Sequence, residues 1–129
     1  MKAEEFRYGN IISLDNDLME IRLIRQLSLG LIRTNNFVFN PIIIRPFIFL
    51  RPVKLSHDLL IKIGFKFHDK TYSADFSEYL YKNKFLVIHN KKGFFAYCSD
   101  KKLKYLHELQ NSYYINTNKE LNINKLFFK

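Results

Sequence analysis

The chain has 129 residues, 47% hydrophobic and 16% aromatic, enough apolar area for one core and too much for a disordered tail. A single cysteine, Cys98, excludes an internal disulfide and suits a reducing cytoplasmic setting, and Glu4 and Glu5 stand where a secretion signal needs a basic and then apolar start. The net charge of +9 is uneven, −1 over residues 1–30 and +5 over each of 31–70 and 71–129, which favours a polyanionic partner or reflects the Lys- and Asn-rich codons of an AT-rich genome.

In chain order, the first signal is a β-hairpin. Two apolar, partly alternating runs over 6–12 and 18–24 flank Asp15-Asn16-Asp17, and Asp and Asn tolerate the backbone of a tight turn. Residues 27–36 are broken by Gly30 and Asn35-Asn36, with a short strand at 31–33. The longest apolar run is 37–53, FVFNPIIIRPFIFLRPV. Pro41, Pro46, Pro52, Arg45 and Arg51 interrupt it. These exclude a membrane span, a continuous helix and any central strand through the prolines. Two extended pieces remain, 42–44 and 47–50. If exposed, they form a sticky surface suited to a protein partner.

Residues 55–65, LSHDLLIKIGF, predict a short helix with both ends marked. Ser56 is its N-cap, Asp58 complements the dipole, Gly64 supplies the left-handed terminator and Phe65 the accompanying apolar contact. Strand signals follow at 71–76, 78–81, 84–89 and 94–98, the last two joined as a hairpin by Asn90-Lys91-Lys92-Gly93. Asp100 is placed to cap a helix over 101–114, KKLKYLHELQNSYY, where Leu103, Leu106, Leu109 or Gln110, and Tyr113 recur at helical spacing. Lys101, Lys102 and Lys104 in its first turn run against the dipole preference. A last strand is expected at 120–123, ahead of a Lys/Phe end.

Together these predict one α+β domain over 1–129. It is β-rich to residue 50, with a short helix over 55–64, strands over 71–98, a helix over 100–115 and a tail over 116–129. Its antiparallel sheet, open or barrel-like at the N-terminus, packs against one long C-terminal helix and one short helix.

Most catalytic chemistry is missing. His107-Glu108 opens like the helical zinc-protease motif, but the second His is replaced by Asn111. His57-Asp58 and His68-Asp69 lack the further His and Asp that a metal phosphohydrolase needs, and four His with one Cys lack zinc spacing. Gly9, Gly30, Gly64 and Gly93 are isolated, so no phosphate loop exists. Cys98 reads as a small buried hydrophobe rather than a nucleophile. No paired carboxylates are evident, and a non-enzyme without cofactor or metal is expected.

Two residue groups remain as candidates. Lys91, Lys92, Lys101, Lys102 and Lys104 lie near one hairpin and the helix start, as a solvated cover or a phosphate-facing patch. His107, Gln110, Asn111 and Tyr114 form a polar strip on the helix. In one reading these side chains bond backbone groups and lock the helix onto the sheet. In the other their amides read a base or a partner's backbone, with Tyr113 and Tyr114 for stacking.

Three segments resemble a family of small uncharacterised proteins from Bacteroidetes genomes, prophages and phages. Arg7-Tyr8-Gly9-Asn10-Ile11-Ile12 is similar to that family's R-x-G-N-hydrophobic opening. Residues 52–65, PVKLSHDLLIKIGF, resemble its P-I-P-L-T-x-E-W-L-x-x-F-G-F helix, and residues 106–114, LHELQNSYY, its V-H-x-L-Q-N-L-Y-F segment, followed by Thr117 and Glu120-Leu121. Leu59 stands where the family has Trp, and Asn118 and Lys119 replace a Gly and an acid. The resemblance spans most of the chain and implies a phage or mobile-element accessory protein, with no reaction attached. The expectation is therefore a non-catalytic accessory protein, cytoplasmic or in the virion, binding nucleic acid through a basic face. The alternative is a protein–protein module using 37–53, as a virion component or modulator of a host factor. No membrane span is expected, and the oligomeric state stays open.

Overall fold

The N-terminal hairpin forms around Asp15 and Asn16. In the computed structural model, which describes residues 3–25, 28–33, 42–70, 78–97 and 101–123, β1 (Ile11–Leu14) and β2 (Asp17–Ile24) pair antiparallel from Leu14↔Asp17 to Ile11↔Glu20. Both turn residues take positive φ, 50° and 69°, the type I′ geometry whose twist matches the flanking strands. β3 (Ser28–Arg33), longer than the expected 31–33, continues the sheet, and β4 (Ile43–Pro46) and β5 (Leu50–Pro52) form its edges in the order β4-β3-β2-β1-β5. Pro46 and Pro52 thus sit on edge strands, where a missing N–H interrupts no central ladder.

The stretch expected to be extended over 47–50 is instead a 3₁₀ turn at Phe47–Phe49, leading into β5. The reason is topological. This turn connects the two opposite edges of a five-stranded sheet. In a flat sheet those edges would lie about 19 Å apart, from a strand spacing of about 4.8 Å. Three residues of 3₁₀ helix rise only about 6 Å. The sheet therefore curls strongly on itself, yet it remains open, because β4 and β5 do not pair. Its concave core holds Phe6, Ile12, Leu14, Met19, Ile21, Leu29, Leu31 and Leu50. These strands and residues Tyr105–Asn111 make one compact unit.

The second unit, Lys54–Lys104 with Ser112–Lys129, begins with α1 (His57–Lys62). Ser56 caps it as expected, its hydroxyl accepting the Leu59 N–H at 3.1 Å. At the other end Gly64 has φ +102°, Phe65 N–H donates to Leu60 O and Gly64 N–H donates to Ile61 O, a Schellman motif. β6 (Lys66–Lys70), not anticipated, precedes β7 (Glu78–Lys82), β8 (Phe85–Asn90), β9 (Gly93–Ala96) and β10 (Lys102–Leu103) in an antiparallel sheet ordered β10-β9-β8-β7-β6. The expected strand at 71–76, Cys98 and the Asp100 cap lie outside the described residues.

The long helix, α2, covers Leu106–Thr117 rather than starting at residue 101. Lys102 and Leu103 pair instead with Phe95 and Phe94 of β9. Three lysines at the positive end of a helix dipole are unfavourable, whereas the strand pairing buries Leu103 equally well. The helix begins after Tyr105, whose N–H donates to the Glu108 side chain at 3.1 Å, half of a capping box. Beyond α2, residues 120–123 form no strand; Leu121 and Ile123 are buried from an irregular segment.

The core of the second unit gathers Leu60, Ile63, Phe65, Leu80, Phe85, Val87, Phe94, Ala96 and Tyr113. Phe85 meets Tyr113 edge-on at 5.3 Å, and the Tyr113 hydroxyl accepts from Asn83 Nδ2. The chain is thus α+β, two antiparallel sheets with one longer and one shorter helix. No helix among the described residues is long and apolar enough to cross a membrane.

Candidate functional site

The polar strip of α2 is turned inward in the first unit. Gln110 is buried, its Oε1 accepting the Ile11 N–H at 2.9 Å and its Nε2 donating to Gly9 O at 3.2 Å. Asn111 Oδ1 accepts from Asn10 Nδ2 at 2.9 Å and from Arg7 Nε at 3.0 Å, while its Nδ2 donates to Glu5 O. Arg7 Nη2 also donates to Gln110 O at 3.4 Å. His107 is buried between rings, 4.6 Å from Phe6 and stacked at 5.8 Å on Tyr105, with Nε2 3.8 Å from the Glu5 carboxylate. Amides engaged in this way lock the helix to the start of β1. Tyr114, the fourth member, is exposed on the second half of α2.

The partners of this strip are Arg7, Gly9 and Asn10, which sequence reasoning did not single out as a site. The signal was the short polar run Arg7-Tyr8-Gly9-Asn10 before a strand. Gly9 takes φ +90°, and the Asn10 side chain closes the bend by accepting the Arg7 N–H at 2.8 Å. The first and third segments that carry the family resemblance therefore meet in space.

The lysines belong to the second unit. Lys91 and Lys92 form the turn between β8 and β9, closed by Asn90 Oδ1 accepting the Lys92 N–H at 2.9 Å. Lys102, on β10, runs its aliphatic stem across Gly93, with Cε only 2.5 Å from where a Cβ would stand. That contact carries the Lys102 ammonium toward the same turn. Lys101 and Lys104 flank it, and all five side chains are exposed. The structure brings together Lys91, Lys92 and Lys102 by strand pairing, not by the helix start that the sequence suggested.

Charge divides sharply between the units. The first contains six arginines, Lys2 and six acidic residues, a net of +1. The second contains fourteen lysines against six acidic residues, a net of +8. Lysines concentrated in this way are suited to holding phosphate as mobile point charges. Compared with known protein-family models, curated proteins and solved structures, the chain matches none.

Proposed function

We propose that the protein is a non-catalytic accessory protein of phage or prophage type that binds nucleic acid through its lysine-rich second unit. The observation that carries this reading is the charge partition, with nearly all of the net +9 in the unit bearing the Lys91-Lys92 turn and Lys102. Neutralising phosphates with lysines releases condensed counterions, so affinity should fall linearly in log–log form as salt rises. The phage-type role rests on the three-segment resemblance, and it fits a cytoplasmic or virion setting. Fluorescence anisotropy of labelled DNA and RNA across a salt series tests the binding. Tight binding with a steep salt slope supports it, and no binding at low salt overturns it.

A second reading, a protein–protein module, is favoured by one specific observation. Ile42, Ile44 and Phe49 are 55%, 42% and 56% exposed at the β4 edge and the turn after it. Sedimentation velocity and crosslinking with host or virion extracts test this reading. Loss of a captured partner on Ile44→Glu and Phe49→Glu supports it.

A further inference from the structure

The second sheet has two faces, and only one of them is core. Alternation turns Leu80, Val87, Phe94, Ala96 and Leu103 inward and places Tyr79, Tyr81, Leu86, Ile88, Phe95 and Tyr97 on the opposite side. The register arranges these six in two rows. Lys66, Tyr81 and Leu86 stand across from one another on β6, β7 and β8, and Tyr97 joins them because its N–H donates to Leu86 O at 2.9 Å. In the next row Asp69, Tyr79, Ile88, Phe95 and Lys102 stand across β6, β7, β8, β9 and β10. Tyr97 is 57% exposed and Tyr81 37%, while Tyr79 and Phe95 are half-buried.

Each row ends in a cation at one edge, Lys66 on β6 in the first and Lys102 on β10 in the second, whose β6 position is Asp69, and the Lys91-Lys92 turn closes one end. Four aromatic rings on one antiparallel face, with a lysine at each sheet edge and two more in the turn, match the chemistry of an unpaired nucleic-acid strand. Such a strand offers flat base faces for stacking and phosphates for the rim. A duplex conceals its base faces within its own stack. An apolar protein segment would use the rings but not the rim of positive charge.

We propose that this face is a stacking platform for single-stranded nucleic acid. Unpaired bases rest on Tyr81, Phe95 and Tyr97, and Lys66, Lys91, Lys92 and Lys102 hold the phosphates. The inference rests on the nucleic-acid reading above and narrows it to unpaired strands.

The test uses the full chain and three fluorescein-labelled probes of equal length at low salt: an oligothymidylate, an abasic strand and a duplex. The oligothymidylate is expected to bind at least about tenfold more tightly than the abasic strand, given base–aromatic stacking of known strength. Tyr97→Ala should weaken oligothymidylate binding about five- to 100-fold, leave the abasic strand unaffected, and be rescued by Tyr97→Phe. Tyr97 lies outside the core, so the variant keeps its fold, which its unchanged thermal midpoint would verify. The chain has eight tyrosines and no tryptophan. Stacking should therefore also quench tyrosine emission, with a smaller amplitude in Tyr97→Phe. Equal affinity for the oligothymidylate and abasic strands, with Tyr97→Ala silent, overturns the platform and leaves the basic-face reading standing. Duplex binding as tight as oligothymidylate binding likewise overturns it. No binding to any probe overturns both.

Discussion

Gln110 accepts the backbone N–H of Ile11 at 2.9 Å, a buried bond between residues 99 positions apart. It supplies a partner for an amide at the first residue of β1. The same side chain donates to Gly9 O on the other side of Asn10, so one glutamine holds both sides of the bend that enters the sheet. Solvent could not satisfy the Ile11 N–H in its place, because Ile11 and Gln110 are both buried.

Gln110→Met retains most of the volume and removes the acceptor. It should cost about 1–3 kcal/mol, the penalty for a buried donor left without a partner. Urea denaturation measures the loss, and hydrogen exchange at the Ile11 amide should accelerate with it. A Gln110→Met protein as stable as wild type would show that this bond contributes nothing.

Asn111 and Asn10 should be energetically coupled. Asn111 Oδ1 accepts from both Asn10 Nδ2 and Arg7 Nε, so removing either asparagine disturbs the same network. A double-mutant cycle with Asn10→Ala and Asn111→Ala is expected to give a coupling of about 1 kcal/mol. Simple additivity would mean that the side chains act independently.

Gly30 is required for space rather than for φ. A Cβ there would stand 2.5 Å from Leu23 Cβ and 2.9 Å from Ile42 Cγ2, closer than carbon atoms can approach. Leu23 lies beside the register shift between β2 and β3, which leaves little freedom to yield. Gly30→Ala should therefore destabilise by about 1–3 kcal/mol. A midpoint in urea unchanged from wild type would contradict the close approach.

The two ends of α1 should respond separately. Ser56→Ala removes the acceptor for the Leu59 N–H and should cost about 1 kcal/mol, with Ser56→Asp restoring most of it. Gly64→Ala forces a Cβ into φ +102° and should cost about 1 kcal/mol or more. Thermal unfolding of the two single variants and the double variant resolves both contributions. An unaffected Tm in Ser56→Ala would remove the cap from the account.

If Lys91, Lys92 and Lys102 contact phosphates, each neutralisation to Met should weaken binding similarly for every sequence. Each should also lower the salt slope by about 0.7 on a single strand. Anisotropy at several salt concentrations reads the slope. A slope identical to wild type in the triple variant would exclude these three lysines from the interface.

Elements with short-range causes were legible in the sequence. The Asp15-Asn16 turn, the Ser56 cap and the Gly64 terminator each depend on residues within one turn of each other, and each forms at the expected place. The Lys91-Lys92 hairpin is of the same kind. The start of α2 was not legible, because Leu103 fits the apolar spacing of a helix but is buried equally well from a strand. Its conformation was decided by Phe94 and Phe95, which offered a ladder to pair with. The 3₁₀ turn at Phe47–Phe49 was hidden for a similar reason, since only the curl of the whole sheet brings its two edges within reach of three residues.

The candidate sites divide along the same line. Composition by itself determined that the chain carries a large positive charge, and side-chain type marked His107, Gln110 and Asn111 as notable. Only the tertiary structure decided that Gln110 and Asn111 bond Arg7, Gly9, Asn10 and Ile11. Strand register likewise placed Tyr81 and Tyr97 on either side of Leu86, between the lysines of the two sheet edges. Local chemistry acts over a few residues and can be read along the chain. Partners about 100 positions apart are chosen by which registers bury the most apolar surface while leaving no buried polar group unsatisfied.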